Sequence, residues 1–302
     1  MVFARKITTK GKSYWILVHN IREGKNIRQK SKYIGKTLPP EEDLKKMKEE
    51  FLNDIKKDNH RYLSDDIVKN IENKKETYQK ELKKLSKTER EQKQEEFMIR
   101  YTYDSSKLSG VPVTLRQTFL ILKEGIIPKE MKSLRIAKEL ENHEKGFLMI
   151  TQYIGPLTKA FLKKLHKTLL AGIDDSIAGK FRSELKRDVK IAGTIYLPPK
   201  WQHVEKELDQ FLSWYAQHQR KLHPLELAAL VHAKLISLQP FVDGNSRLSR
   251  LLMNWILWKK NYPPIDIPVT DLEAYYNALD FYQIEKDERE FVQYIVEKYL
   301  DG

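Results

Sequence analysis

The sequence predicts a mainly α protein preceded by a small three-stranded β meander. Apolar residues recur at helical spacing after residue 100, whereas β-branched and aromatic residues crowd the first 36 residues between glycines. A hydrophobic content of 40% over 302 residues is enough for a real core, in one large domain or two modest ones.

The stretch Ser13-Tyr-Trp-Ile-Leu-Val-His-Asn-Ile21 favours extended backbone, and Gly11 and Gly24 sit where tight turns belong. Strands are expected over 2–9, 13–22 and 26–34, closed by Gly35, as a basic β meander occupying residues 1–38. So small a sheet is marginal alone and must pack on something. Residues 1–36 hold ten Lys/Arg (Arg5, Lys6, Lys10, Lys12, Arg22, Lys25, Arg28, Lys30, Lys32 and Lys36) against Glu23 alone, most of the chain's formal charge of +13. Such a patch suits a polyanion, nucleic acid first among them, and equally reads as a solubilising face without a partner.

Pro39-Pro40 ends the sheet, and Glu41-Glu42-Asp43 supplies the acidic first turn of a helix. Residues 39–100 are rich in Lys, Glu and Gln with sparse apolar positions, as in a charged linker of two or three solvated helices. Residues 101–302 form the main domain. There Thr114 can cap a helix over 115–123, and helices follow over 133–152 and 157–170. Between Phe181 and Tyr196, Val189, Ile191 and Ile195 alternate around Gly193, a hairpin signal within a helical domain. Pro198-Pro199 stops it, and helix resumes over Trp201–Gln217.

Several classes drop out. No apolar run approaches the roughly 20 residues that span a bilayer, and the opening MVFARKITTKGK lacks the apolar region of a secretory signal. The absence of cysteine excludes disulfides, Cys-ligated zinc and thiol nucleophiles. A cytoplasmic protein without a membrane partner is the simplest expectation.

The chemistry concentrates in two consecutive helices. Pro224 opens one whose Leu227, Leu230, Val231, Leu235 and Leu238 form a stripe; a second starts near Arg247 and repeats Leu248, Leu251, Leu252, Trp255 and Ile256. Between them lies Gln239-Pro-Phe-Val-Asp-Gly-Asn-Ser-Arg-Leu-Ser-Arg250. Gly244 permits positive φ, so successive N–H groups can converge on an anion, and the helix N-terminus adds unpaired donors. Arg247 and Arg250, three apart, share one helix face. Asp243 is placed to hold a Mg²⁺ that bridges phosphates. The same turn also reads as an interhelical cap with local Asp and Asn hydrogen bonds.

These residues resemble the Fic motif, HxFx(D/E)GNGRxxR, with Pro240, Phe241, Asp243, Gly244, Asn245, Arg247 and Arg250 matching. The resemblance covers about residues 101–300 and implies a Fic-type helical core with a β-hairpin flap at 181–196 that docks a protein target. It further implies nucleotide binding, with ATP and Mg²⁺ as cofactors, through Gly244, Asn245, Ser246, Arg247 and Arg250, with Asp243 on the metal. The parent activity is transfer of AMP from ATP to a protein hydroxyl.

Three positions depart from the family pattern. Gln239 stands where the family has its catalytic histidine, and an amide cannot take a proton at neutral pH as an imidazole can. Ser246 replaces the second glycine. Upstream, Ser105–Gly110 falls where the family carries an inhibitory (S/T)xxxE(G/N) segment whose glutamate pairs with the second motif arginine; Ser109 takes the glutamate position, leaving Arg250 without that restraint. The expectation is therefore ATP–Mg²⁺ binding with transfer weak or lost. The alternatives are an active nucleotidyl or phosphoryl transferase using a divergent site, and a nucleic-acid-binding module with a regulatory Fic core.

Overall fold

The computed structural model describes residues 2–9, 12–23, 26–57, 62–131 and 133–302. Two compact units divide the chain, residues 1–61 and 62–302. In the first, β1 (Val2–Thr9), β2 (Lys12–Glu23) and β3 (Asn26–Gly35) form an antiparallel sheet in that order. Ala4 faces Leu17, which faces Lys32, and the β2–β3 register shifts between Trp15 and Ile16. The helix α1 (Glu41–Lys57), with its acidic first turn, answers the need of so small a sheet for a packing partner. Its Leu44, Met47 and Phe51 pack with Val2, Leu17 and Ile34. Gly11 and Gly24, expected in the two turns, lie outside the described residues.

The second unit is helical. It runs through α2 (Asp65–Lys84), α3 (Lys87–Leu108), α4 (Leu115–Leu122), α5 (Leu134–Gln152), α6 (Lys159–Leu170) and the single turn α7 (Arg182–Leu185). Then come α8 (Val204–His218), α9 (Pro224–Leu238), α10 (Asn245–Lys259), α11 (Leu272–Asp280) and α12 (Glu288–Asp301). Starts follow cap chemistry: Ser86 with Glu89, and Thr114 with Gln117, close reciprocal capping boxes on α3 and α4. Among the described residues no helix is long and apolar enough to cross a membrane.

The centre of this unit is the α9–α10 pair. Nearly every residue of α9 from Leu225 to Leu238 is buried, a helix surrounded on all sides rather than one with a single apolar stripe. Even Glu226 is fully covered, its carboxylate accepting the Tyr62 N–H at 3.1 Å. On α10, Leu248, Leu251, Leu252, Trp255 and Ile256 are buried as their spacing predicts.

The hairpin expected over 181–196 is not made of paired strands. Arg182–Leu185 form a helical turn, Lys186 ends it in the left-handed region (φ 53°), and irregular backbone continues to Lys200. A two-stranded ribbon is marginal on its own, and here side chains hold the excursion instead. Asp188 Oδ1 accepts the Trp201 N–H at 2.7 Å, and the Thr194 hydroxyl donates to Asp280 at 2.7 Å.

Candidate functional site

The loop joining α9 to α10 is fastened by side-chain amides. Gln239 ends α9 in the left-handed conformation (φ 47°, ψ 61°), its N–H donating to Leu235 O at 3.1 Å. Its Nε2 donates to Ile236 O at 2.7 Å, which satisfies one of the carbonyls a helix end leaves open. Its Oε1 accepts from Asn245 Nδ2 at 2.8 Å. Asn245 also donates to Phe241 O at 2.8 Å and accepts the Phe241 N–H at 3.0 Å. One asparagine thus closes the whole turn.

Two residues from elsewhere in the chain set the loop's position. Arg182, fully buried, donates from Nε to Gln239 O at 2.6 Å and from Nη2 to Leu238 O at 3.3 Å and to Pro199 O. A cation here meets the negative end of α9. His166 stacks flat on Phe241, ring centroids 3.7 Å apart. Its Nδ1 accepts the Gly179 N–H at 2.9 Å, so Nε2 carries the proton and donates to Asp243 O at 3.0 Å. Burial pushes this imidazole down to about 4, and the Asp243 carbonyl only partly opposes that.

Gly244 caps α10 with φ 75°, and a Cβ there would lie 3.3 Å from Leu170 Cδ2 and 3.5 Å from the His166 ring. The positive φ favours glycine, and the space beside Leu170 is tight. The Asp243 carboxylate, half-exposed, accepts the Gly244 N–H at 2.6 Å. The backbone N–H groups of Asn245, Ser246 and Arg247 make no hydrogen bond to a described residue. With Gly244 as cap, α10 starts at Asn245, two residues earlier than the apolar spacing suggests. Ser246 is a residue of the helix, not its cap. Its φ is not positive, so serine fits where the family has glycine.

The two arginines face different surroundings. Arg247 Nη1 lies 3.6 Å from Glu139 Oε2, and Nη2 lies 3.9 Å from Asp243 Oδ2. Arg250 is 1% exposed and pairs with no carboxylate among the described residues. Its Nε donates to Ser105 Oγ at 2.9 Å, and its Nη2 to Ser105 O and Ser109 Oγ, both at 2.6 Å. Its Nη1 has no hydrogen-bond partner among the described residues. As expected with Ser109 in the glutamate position, no ion pair restrains Arg250 among the described residues; the serine hydroxyl accepts a neutral hydrogen bond from the guanidinium instead. Around this guanidinium, burial first and the Arg250 charge second keep His143 well down and push His232 to about 3.

The structure therefore brings Gln239, Asp243, Gly244, Asn245, Ser246, Arg247 and Arg250 together. The spacing of residues gave no notice of Arg182, His166 or Glu139. Each comes from a different helix, so no local pattern could have linked it to the loop, whereas Ser105 opens the segment that the family resemblance sets against Arg250.

Residues 156–257 match the Fic/DOC family. The protein adenylyltransferase Fic of Drosophila melanogaster is 33% identical over 219 residues, which cover 68% of this chain and 42% of that protein. The Drosophila virilis protein of the same name is 32% identical over the same extents. The matched segment thus spans less than half the length of these relatives. Among solved structures, a Fic-domain-containing signalling protein from Bacteroides thetaiotaomicron superimposes with a TM-score of 0.68 at 28% identity, covering 77% of this chain and 93% of that one. Fic-1 from C. elegans shares the fold at 22% identity and a TM-score of 0.66, over 87% of this chain and 75% of that one.

Proposed function

Because the chain belongs to the Fic/DOC family, we propose that its 239–250 loop binds ATP with Mg²⁺ while AMP transfer to a protein hydroxyl is weak or lost. One observation carries the reading. Three open N–H groups at the start of α10 stand beside Arg250, a buried guanidinium with no anionic partner among the described residues. Buried charges are normally paired, and helix N-termini favour anions. A polyphosphate satisfies both needs.

Asp243 suits a metal-binding role, being half-exposed and beside the open N–H groups. Among the described residues no three metal-ligating side chains converge, so a Mg²⁺ would draw its other ligands from phosphates and water. Such an ion would neutralise charge on the phosphates. Gln239 and Asn245 shape the cradle, and Arg182 and His166 hold it in place.

Gln239 is the reason to expect little transfer. Both ends of its amide are engaged in the loop, and an amide has no proton-accepting capacity near pH 7. Loss of a general base costs about 10²- to 10⁴-fold. The test incubates the wild type and Gln239→His with α-labelled ATP, Mg²⁺ and a cell lysate. Label should enter protein with Gln239→His and hardly at all with the wild type. Equal labelling by both would remove the claim of lost transfer, and ATP binding by neither would remove the nucleotide site.

We propose nucleic-acid binding by the basic sheet as a second, separate reading. Arg5 and Lys6 are exposed on β1, and Phe3 and Tyr33 expose 39% and 59% of their surface on the same small sheet. Phe3, Arg5 and, through Ile16, Tyr33 share one face of the sheet, and a cation among aromatic rings suits single-stranded nucleic acid. Affinity for an oligonucleotide should fall steeply with salt and drop further in an Arg5→Glu/Lys6→Glu double variant that still binds ATP. Equal affinity in that variant would refute it.

A further inference from the structure

Arg247 and Arg250 sit three residues apart on α10 yet are satisfied in opposite ways. Arg250 meets only neutral oxygens. Arg247, 5% exposed, is bracketed by the carboxylates of Glu139 at 3.6 Å and Asp243 at 3.9 Å. Both distances are too long for hydrogen bonds. The charge of Arg247 is therefore balanced while its side-chain N–H groups donate to no described residue.

Of the two carboxylates, Asp243 is half-exposed and Glu139 is not. Glu139 is 8% exposed on α5, between the buried Ala137 and Leu140. Its other oxygen accepts from Arg135 Nε at 2.9 Å, and the Arg135 side chain is 57% exposed. A phosphate entering the loop can displace a rim aspartate. It cannot displace a glutamate fixed in the body of a packed helix.

We propose that Glu139 is a resident counter-anion of the phosphate site, holding the charge of Arg247 in the free protein and opposing each phosphate that enters. This rests on the nucleotide reading above and adds a restraint to it, from a helix outside the loop. A phosphate on the N–H groups of residues 245–247 falls within reach of Arg247, where it competes with a carboxylate that solvent screens poorly. Arg135 acts with the opposite sign, because it draws part of the Glu139 field toward the surface.

Opposite signs give the test. ATP–Mg²⁺ and inorganic triphosphate are titrated calorimetrically into the wild type, Glu139→Gln, Arg135→Gln and Glu141→Gln, each also melted without ligand. Glu141, an α5 carboxylate near Lys138 at 3.5 Å, serves as the control. Glu139→Gln should bind roughly tenfold tighter and Arg135→Gln roughly threefold weaker, with Glu141→Gln close to wild type. A glutamate that merely oriented Arg247 would give weaker binding on Glu139→Gln. A merely structural one would lower the melting temperature and leave affinity unchanged. Either result, in a wild type that binds ATP, overturns this inference alone. Binding by neither the wild type nor Glu139→Gln removes the nucleotide reading and this inference with it.

Discussion

Replacing Asn245 by alanine should be among the costliest single changes in the helical unit. The side chain makes three hydrogen bonds within the loop: to Gln239 Oε1, to Phe241 O and from the Phe241 N–H. Phe241 is fully buried, so its N–H would lose its partner with no water to replace it. A net hydrogen bond contributes about 1 kcal/mol, and a stranded buried donor costs about 1–3 kcal/mol more. Two bonds lost at about 1 kcal/mol each, with the third counted as the stranded donor at about 1–3 kcal/mol, place Asn245→Ala at about 3–5 kcal/mol. For a domain of this size each kilocalorie lowers the melting temperature by about 2–4 °C, so a fall of roughly 6–20 °C is expected in calorimetry, with urea unfolding as a second measure. Asn245→Asp sharpens the test. It retains an oxygen for the Phe241 N–H but sets a carboxylate against Gln239 Oε1 and Phe241 O, so it should cost a similar amount. A loss below about 1 kcal/mol for either variant would refute the view that this amide closes the loop.

Two further outcomes follow from the same geometry. The His166 ring should titrate by NMR near pH 4, because burial holds its folded pKa at about 4. Since this lies below the unfolded value of about 6.5, the unfolded chain takes up the proton first as pH falls. Stability should therefore decline from about pH 6.5 towards 4, by up to about 3 kcal/mol from this group; a midpoint near 6.5 would contradict it. Gly244→Ala forces a side chain into φ 75° and within 3.3 Å of Leu170, so it should cost about 1–2 kcal/mol in chemical denaturation and weaken ATP binding. Unchanged stability there would show that the cap relaxes freely.

The parts of this fold governed by local rules were legible in the chain. Leu248, Leu251, Leu252, Trp255 and Ile256 mark one buried face of α10, and Thr114 and the acidic start at Glu41 locate helix ends by cap and dipole chemistry. Spacing understated α9. A stripe predicts one buried side, whereas α9 lies between neighbours on all sides, a fact of tertiary packing alone. It overstated the flap, because alternating residues form strands only where a partner supplies the ladder. Within the site, the loop residues from Gln239 to Arg250 are adjacent in sequence and could be read as one anion cradle. Their supports could not. His166 reaches Asp243 across 77 positions and Arg182 reaches Gln239 across 57. Ser109 shows the limit most plainly. Losing a carboxylate looks like losing a contact, yet the shorter hydroxyl still meets the guanidinium at 2.6 Å.

The central claim is that the α10 N-terminus and Arg250 form a phosphate site in a loop whose base position no longer takes a proton. Its most direct test is the melting temperature of the wild type and Arg250→Ala with and without ATP–Mg²⁺. At a hundredfold excess over Kd, binding stabilises by about 2.7 kcal/mol, a rise of roughly 5–10 °C. That rise should appear in the wild type and vanish in Arg250→Ala, whatever the variant's own stability. An equal rise in both would take Arg250 out of the site, and no rise in the wild type at millimolar ATP–Mg²⁺ would contradict the claim itself.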